Sequence, residues 1–325
     1  MKTILTNELG SLDNLHVVEM ETPVVANGQV RIQILACGLN YVDSLMIEGK
    51  YQIKPPVPYR PGSEVVGRIL ETAADVSNVK VGDRVFVPIG NGGFSDEAVV
   101  SADRVIPLPA NLTDGQGATF MQSYLTAWFA FHHRAVVVEG DTMLVLGAGG
   151  GVGLAAVDLG VAMGMRVIAA ASSEEKRQLA MKQGAFATID VLTEDVKVRA
   201  RELADGKLNI VYDPVGGDVA EQCLRALAPG GQYLVVGFVA GIPRLPANHI
   251  LLTNRTVVGV DWGAWMLRNY KDNAAMLVEV FREISKGTLH PVEPVSYPMS
   301  QAVQAMRDLQ DRKIAGKVAL VPDFQ

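Results

Sequence analysis

The segment of this chain best suited to holding an anion is Gly147-Ala-Gly-Gly-Gly-Val-Gly153, between an apolar run and an apolar-periodic stretch. Aligned on its last glycine it reads Ala148-x-Gly150-x-x-Gly153, a dinucleotide fingerprint with alanine in first place. A pyrophosphate needs close approach of backbone, which side chains would block, and free N–H groups at a helix N-terminus aimed at its charge. A glycine motif alone is weak evidence. Here it follows a buried strand, opens a helix and sits inside a repeated strand–helix series, which is the context the motif requires. Gly147, Ala148, Gly150, Gly151, Val152 and Gly153 are therefore candidate cofactor-binding residues; the bland reading is a tight strand–helix turn with nothing bound.

Which nicotinamide nucleotide would sit there depends on the tip of the second strand. Sites for NAD usually carry Asp or Glu about 20 residues on, where it bonds the ribose 2′-hydroxyl. The second strand here, Arg166–Ala171, runs into Ser172-Ser173 without a carboxylate, and Lys176 and Arg177 follow one turn later. Ser172, Ser173, Lys176 and Arg177 suit a 2′-phosphate, so NADPH is the expected cofactor. Two other readings stay open: Ser172-x-x-Glu175 has the pattern of a capping box, and the two cations can be plain solvated charges. Glu174 and Glu175 weaken the local positive field.

The elements that position this loop change character near residue 115. Before it, short β-rich segments alternate with turns: strands are expected at Val30–Ala36, Val65–Thr72, Arg84–Pro88 and Ser95–Val100, with a short helix from Asn40 to Glu48 ended by Gly49. A connecting helix is expected from Thr113 through Phe131. Strands Thr142–Leu146, Arg166–Ala171, Ala187–Ile189, Asn209–Tyr212, Gln232–Val236 and Arg255–Val260 then alternate with helices, as in a parallel sheet covered on both faces. The fold expected is α/β: a doubly wound Rossmann sheet over residues 119–262 and a mainly β domain over residues 1–118. That domain is discontinuous, because the tail 263–325 has no place among the six strands and is expected to return to it.

Composition narrows the function classes. A chain of 325 residues is long for one core, so two domains are natural. A net charge of −6 leaves no field for nucleic acid or an anionic membrane. No apolar run approaches membrane-spanning length and no leader pattern opens the chain, so a cytoplasmic location is expected. The two cysteines, Cys37 and Cys223, form no CxxC pair, and no disulfide is expected.

Further motifs resemble a known family. Ala36-Cys-Gly-Leu-Asn-Tyr-Val-Asp43, Pro61-Gly-Ser-Glu-Val-Val-Gly67, Val81-Gly-Asp-Arg-Val85, Gly150-Gly-Val-Gly153, Asp213-Pro-Val-Gly-Gly217 and Gly316-Lys-Val318 resemble, in order and over essentially the whole chain, the medium-chain dehydrogenase/reductase superfamily. The resemblance is greatest to its zinc-free, zeta-crystallin-like NADPH:quinone oxidoreductases. It implies a GroES-like catalytic domain and a homodimer. The superfamily's zinc enzymes carry a cysteine ligand where this chain has Asn40, a Gly-His-Glu segment where it has Gly62-Ser63-Glu64, and a four-cysteine lobe that is missing here. Catalytic zinc needs three protein ligands, usually Cys, His or carboxylate. The five histidines fall outside the matching motifs, so no metal is expected.

The resemblance also implies that Asn40 and Thr126 lie beside the nicotinamide, that Tyr51 flanks the cofactor, and that Lys317 lies near it. Asn40 and Tyr51 are the candidate catalytic residues, with Tyr41 a weaker one. Asn40 can bond the nicotinamide ribose or an acceptor oxygen, or simply cap the helix that follows. Tyr51 can donate a hydrogen bond or relay a proton, or only pack. Lys317 can also be an exposed lysine opening a strand. Gly237, Phe238, Trp262 and Gly263 follow the fifth and sixth strands at their carboxyl ends, where doubly wound sheets bind ligands; the aromatic rings, with Trp265, can wall a pocket or pack in the core. Asp43 and Glu64 are expected to serve structure through hydrogen bonds. The function these residues imply is zinc-independent transfer of hydride from NADPH to a quinone or other conjugated carbonyl. The alternatives are reduction of an enoyl-thioester or alkenal double bond and, in another class, an NADPH-binding sensor or structural protein.

Overall fold

A strand buried at every position can lie only where both faces of its sheet are covered, and Thr142–Leu146 is such a strand. In the computed structural model, which describes residues 1–324, it is a central strand of a six-stranded parallel sheet. Numbered along the chain, the six are Thr142–Leu146, Arg166–Ala171, Ala187–Asp190, Leu208–Asp213, Gln232–Val235 and Thr256–Gly259, and they lie side by side in the order 3-2-1-4-5-6. That is the doubly wound order, which reverses direction beside the first strand and opens a ligand crevice there. Helices Gly151–Ala162, Glu174–Lys182, Val196–Leu203 and Val219–Ala226 link successive strands.

Contacts divide the chain into two units, Gln122–Pro291 and Met1–Met121 with the segment from Val292 onward. The return to the first unit thus begins at Val292, where 263 was expected. The intervening helix Tyr270–Lys286 is amphipathic and buries Met276, Leu277, Val280, Phe281 and Ile284 in the unit that holds the parallel sheet, and the Trp262 indole donates to Asn273 Oδ1 at 2.8 Å.

The first unit is built on a seven-stranded sheet. Its long central strand, Gln29–Leu39, pairs antiparallel with Val65–Thr72 on one side and with the returning strand Val318–Val321 on the other, and Glu97–Ser101 also pairs with it. Val318–Val321 in turn pairs parallel with Val295–Pro298. A two-stranded ribbon, Lys2–Leu5 with His16–Glu19, precedes the sheet; the sequence pattern does not separate it from the turns around it. The expected connecting helix is broken into Asp114–Thr119, capped at Thr113, and Met121–Phe129. A π-helical turn, Ala130–Arg134, follows, and His132 stacks on Trp128 at 4.1 Å between centroids.

In the parallel-sheet unit, the buried Tyr124 donates to Asp158 Oδ2 at 2.6 Å, and the same oxygen accepts the His290 N–H at 2.6 Å. The carboxylate therefore ties the connecting helix and the end of this unit to helix Gly151–Ala162. Hydrogen bonds to a charged group contribute about 1.5–3 kcal/mol each. Tyr124→Phe is expected to lower the unfolding free energy of this unit by about 2 kcal/mol, read by denaturant titration; a loss under about 0.5 kcal/mol would show that the hydroxyl is not stabilising.

Candidate active site

The glycine loop forms a tight turn from the first strand into its helix. Gly147 has φ +57°, in the left-handed region, and the Ala148 N–H donates to Ala170 O of the second strand at 3.1 Å. A Cβ at Gly153 would collide with the Gly147 carbonyl oxygen and the Ala148 backbone, so this glycine lets helix and strand pack. Gly150, at the N-cap with φ −97° and ψ 166°, is different: a Cβ there would meet nothing nearer than Gly147 O at 3.5 Å. The protein's own packing does not require glycine at 150, and the space above it is open to a ligand. Gly151 and Val152 begin the helix, with their N–H groups among the unpaired first-turn donors. These residues fit the pyrophosphate of a dinucleotide.

At the tip of the second strand, Ser173 caps helix Glu174–Lys182 by accepting from the Lys176 N–H at 3.4 Å. The cap is thus one residue later than the Ser172-x-x-Glu175 box. The Lys176 stem lies across Gly149 of the glycine loop, where a Cβ would overlap it. Arg177 turns the other way, pairing with Glu174 at 2.9 Å and Asp190 at 3.1 Å and donating to Ala171 O at 3.3 Å. Ser172 is half-buried beside this cluster.

The loops after the fourth and fifth strands are laced together. Asp213 is fully buried; its Oδ1 accepts the Val215 and Gly216 N–H groups at 2.7 and 2.8 Å, and Oδ2 accepts the Tyr233 hydroxyl. Burial raises its carboxyl, against the lowering effect of these donors. Gly217 N–H donates to Gly241 O at 2.8 Å, and Gly237 N–H to Asp213 O at 3.2 Å. This frame leaves Phe238 46% exposed beside Gly237. Trp262 is buried and bonded to Asn273, so it packs in the core, and Gly263 lies in the same short helix. Trp265 packs on Phe129 and His133 at 4.9 and 5.2 Å. Thr126 bonds back to Gln122 O at 2.6 Å within its helix.

In the first unit, Asn40 is the most thoroughly fixed candidate. Pairing Val318 with Leu39 in an antiparallel register brings Lys317 opposite Asn40. Lys317, 8% exposed and not an open surface lysine, donates from Nζ to Asn40 Oδ1, while Asn40 Nδ2 donates to Glu64 Oε1 at 2.8 Å. Asp43 Oδ2 accepts the Asn40 N–H at 2.8 Å. The amide therefore keeps one N–H for another partner. Burial lowers the Lys317 ammonium, against Glu64 and Asp43. Burial pushes the Asp43 carboxyl up to about 7, with Glu64 adding to it and the Asn40 N–H and Lys317 opposing. Ser63 Oγ is buried with no hydrogen-bond partner among the described residues. Cys37 is buried and free, its thiol raised chiefly by burial. Among the described residues, no group of three or more His, Cys, Asp or Glu side chains is arranged to hold a metal ion. Tyr51 lies half-buried in the loop after helix Tyr41–Ile47, its N–H on Leu45 O at 3.2 Å, and Tyr41 opens that helix. Sequence reasoning did not foresee the Lys317–Asn40–Glu64 chain; the signal for it was the apolar Val-Ala-Leu-Val after Lys317, which marks a central strand and not an exposed one.

Residues 26–110 match the alcohol dehydrogenase GroES-like domain family, and residues 151–279 the zinc-binding dehydrogenase family. The quinone oxidoreductase-like protein 2 homolog of Nematostella vectensis is 36% identical over 98% of this chain and 88% of its own length. The quinone oxidoreductase of Thermus thermophilus, solved alone and with NADPH, is 32% identical with a TM-score of 0.82, over 99% of this chain and 100% of that one. Polyketide synthase GfsB of Streptomyces halstedii is 32% identical over 96% of this chain but 5% of its own length. The chain belongs to the medium-chain dehydrogenase/reductase superfamily, in its quinone oxidoreductase-like family, and it is an oxidoreductase.

The raised Asp43 carboxyl predicts a pH effect with a definite sign. The folded state holds this proton more tightly than the unfolded chain, so stability is full below about pH 4 and is lost as pH rises through about 7. Asp43→Asn keeps an acceptor for the Asn40 N–H and does not titrate. The melting temperature of wild type minus that of D43N is expected to fall steadily between about pH 4 and about pH 7; a flat difference would mean that Asp43 ionises normally.

Proposed function

We propose that this chain is an NADPH-dependent reductase that passes hydride to a quinone or another conjugated carbonyl, with no metal. The observation that carries this reading is the open space above Gly150 at the start of helix Gly151–Ala162, in a loop where a Cβ at Gly147, Gly149 or Gly153 would meet the protein's own atoms. Gly147, Ala148, Gly150, Gly151, Val152 and Gly153 would hold the pyrophosphate, and Ser172, Ser173 and Lys176 the 2′-phosphate. When bound, NADPH supplies the hydride. Asn40, oriented by Lys317 and Glu64, would direct its remaining amide N–H at the nicotinamide ribose or at the acceptor oxygen. Thr126, Gly237 and Phe238 would border the cofactor, and Tyr51 would supply a phenol for hydrogen bonding.

The metal-free reading is supported by the residues at the zinc-ligand positions of the superfamily. One is an amide already bonded to two neighbours, and the other a serine hydroxyl. A simple carbonyl gains concentrated charge as hydride arrives and needs a strong electrostatic partner. Quinones and enones spread that charge, so one amide donor suffices. The second reading, reduction of an enoyl-thioester, draws on the match to a segment of a polyketide synthase. We further propose a homodimer paired through Thr256–Gly259, the last strand of its sheet, because unpaired edges favour pairing across a two-fold axis.

The test mixes the protein with NADPH or NADH, with and without a chelator, and follows loss of the reduced nicotinamide band. Rapid, chelator-insensitive oxidation of NADPH by simple quinones is expected. Turnover of enoyl-thioesters instead of quinones would favour the second reading, and loss of activity with chelator would sink the metal-free one. For the loop itself, Gly150→Val is expected to weaken NADPH binding at least about tenfold while lowering the melting temperature less than Gly153→Ala does. Tight NADPH binding by G150V would remove the pyrophosphate from this loop.

A further inference from the structure

The third strand brings a carboxylate to the end of the nucleotide site that the second strand leaves uncharged. Asp190 is the last residue of the third strand and lies in register with Ala171, the last of the second, so neighbouring-strand spacing puts their backbones about 4.8 Å apart. A dinucleotide fold presents its adenosine ribose to the tip of the second strand. Arg177, one turn into the helix that follows, is a natural partner for a phosphate on that ribose. Its guanidinium is instead held between Asp190 on Nη1 and Glu174 on Nη2, with Nη1 also on the Ala171 carbonyl, and its side chain is only 13% exposed. Asp190 is itself fixed, because its Oδ1 accepts the Leu192 N–H at 3.0 Å and leaves Oδ2 for the arginine. Both carboxyls are held below their ordinary values, Asp190 first by the Leu192 N–H and Glu174 first by Gln178, with Arg177 contributing to each. The three side chains together carry one net negative charge. The Lys176 stem crosses Gly149 of the glycine loop.

We propose that Asp190 is a specificity-determining residue: by holding Arg177 and placing a carboxylate beside the ribose end, it keeps the preference for NADPH over NADH small and leaves the 2′-phosphate to Lys176 and the serines. This rests on the NADPH reading above and deepens it. A ribose 2′-hydroxyl can donate to a carboxylate, whereas a 2′-phosphate is repelled by one. Removing a charge at this range changes phosphate affinity by about three- to tenfold.

The test uses the full chain without turnover, measuring dissociation constants for 2′,5′-ADP and 5′-ADP by calorimetry. Wild type is expected to favour 2′,5′-ADP by less than about tenfold. Asp190→Asn keeps the acceptor for Leu192 and is expected to raise that ratio about three- to tenfold, mostly through 2′,5′-ADP. Glu174→Gln, at an exposed position, is expected to raise it by a smaller factor, and Asp190→Ser is the deciding variant if D190N melts early. Lys176→Ala is expected to lower it. A ratio unchanged within twofold in D190N, or in Asp190→Ser if D190N is unfolded, would overturn the role of Asp190. Wild type binding the two nucleotides equally would overturn the NADPH reading itself, whatever the variants do.

Discussion

Burying charge in the first unit depends on one antiparallel register. Val318, Ala319 and Leu320 pair with Leu39, Gly38 and Cys37, and that pairing carries Lys317 into a region that already holds the buried carboxyls of Asp43 and Glu64. A carboxylate taken out of water costs several kcal/mol unless it is paired and hydrogen-bonded. One lysine balances one of the two carboxylates, and the second must take up a proton or bear the desolvation cost, which is why Asp43 titrates high. Asn40, placed among all three, is held by their requirements as much as by its own, and an amide held in this way has a single direction in which to offer its last N–H.

The second unit solves a different problem with equally few parts. An anion must approach a backbone that is also packing a helix against a sheet. The loop divides the two tasks between glycines: Gly153 yields to Gly147 O, Gly149 to the Lys176 stem, and Gly150 to nothing in the protein. The buried Asp213 does comparable work across the sheet, using its oxygens to accept from two backbone N–H groups and the Tyr233 hydroxyl and so fixing the loop after the fourth strand against the fifth strand. Neither arrangement needs a side chain to reach far.

Much of this was legible in the sequence, for physical reasons. Strand–helix alternation with a period switch is a strong signal, and the strands of the parallel sheet fall within a residue or two of where the pattern puts them. Val65–Thr72 is met residue for residue. What escaped depends on contacts distant in the chain. Nothing local says that Tyr270–Lys286 packs in the parallel-sheet unit and not with the tail beyond it, because an amphipathic helix specifies a face and not a partner. Nor does local pattern say that Lys317 meets Asn40, 277 residues away; only the register of a long-range strand pair does. The Arg177–Asp190 pair escaped for the same reason, since a cation after the second strand suits a phosphate until a neighbouring strand supplies a carboxylate.

The late arrival of Val318–Val321 has a consequence for how the chain is made. Synthesis runs from the N-terminus, and domains generally fold as units when their residues have emerged. The strand Gln29–Leu39 is made well before Val318–Val321, so along Cys37–Leu39 it lacks that neighbour until the whole of Gln122–Pro291 has been polymerised. Gln122–Pro291, continuous in the chain, can complete its sheet while that edge is still open. A strand made early is thus finished late, and until Val318–Val321 follows it the unpaired N–H and C=O groups along Cys37–Leu39 are open to whatever chaperones or neighbouring nascent chains are at hand.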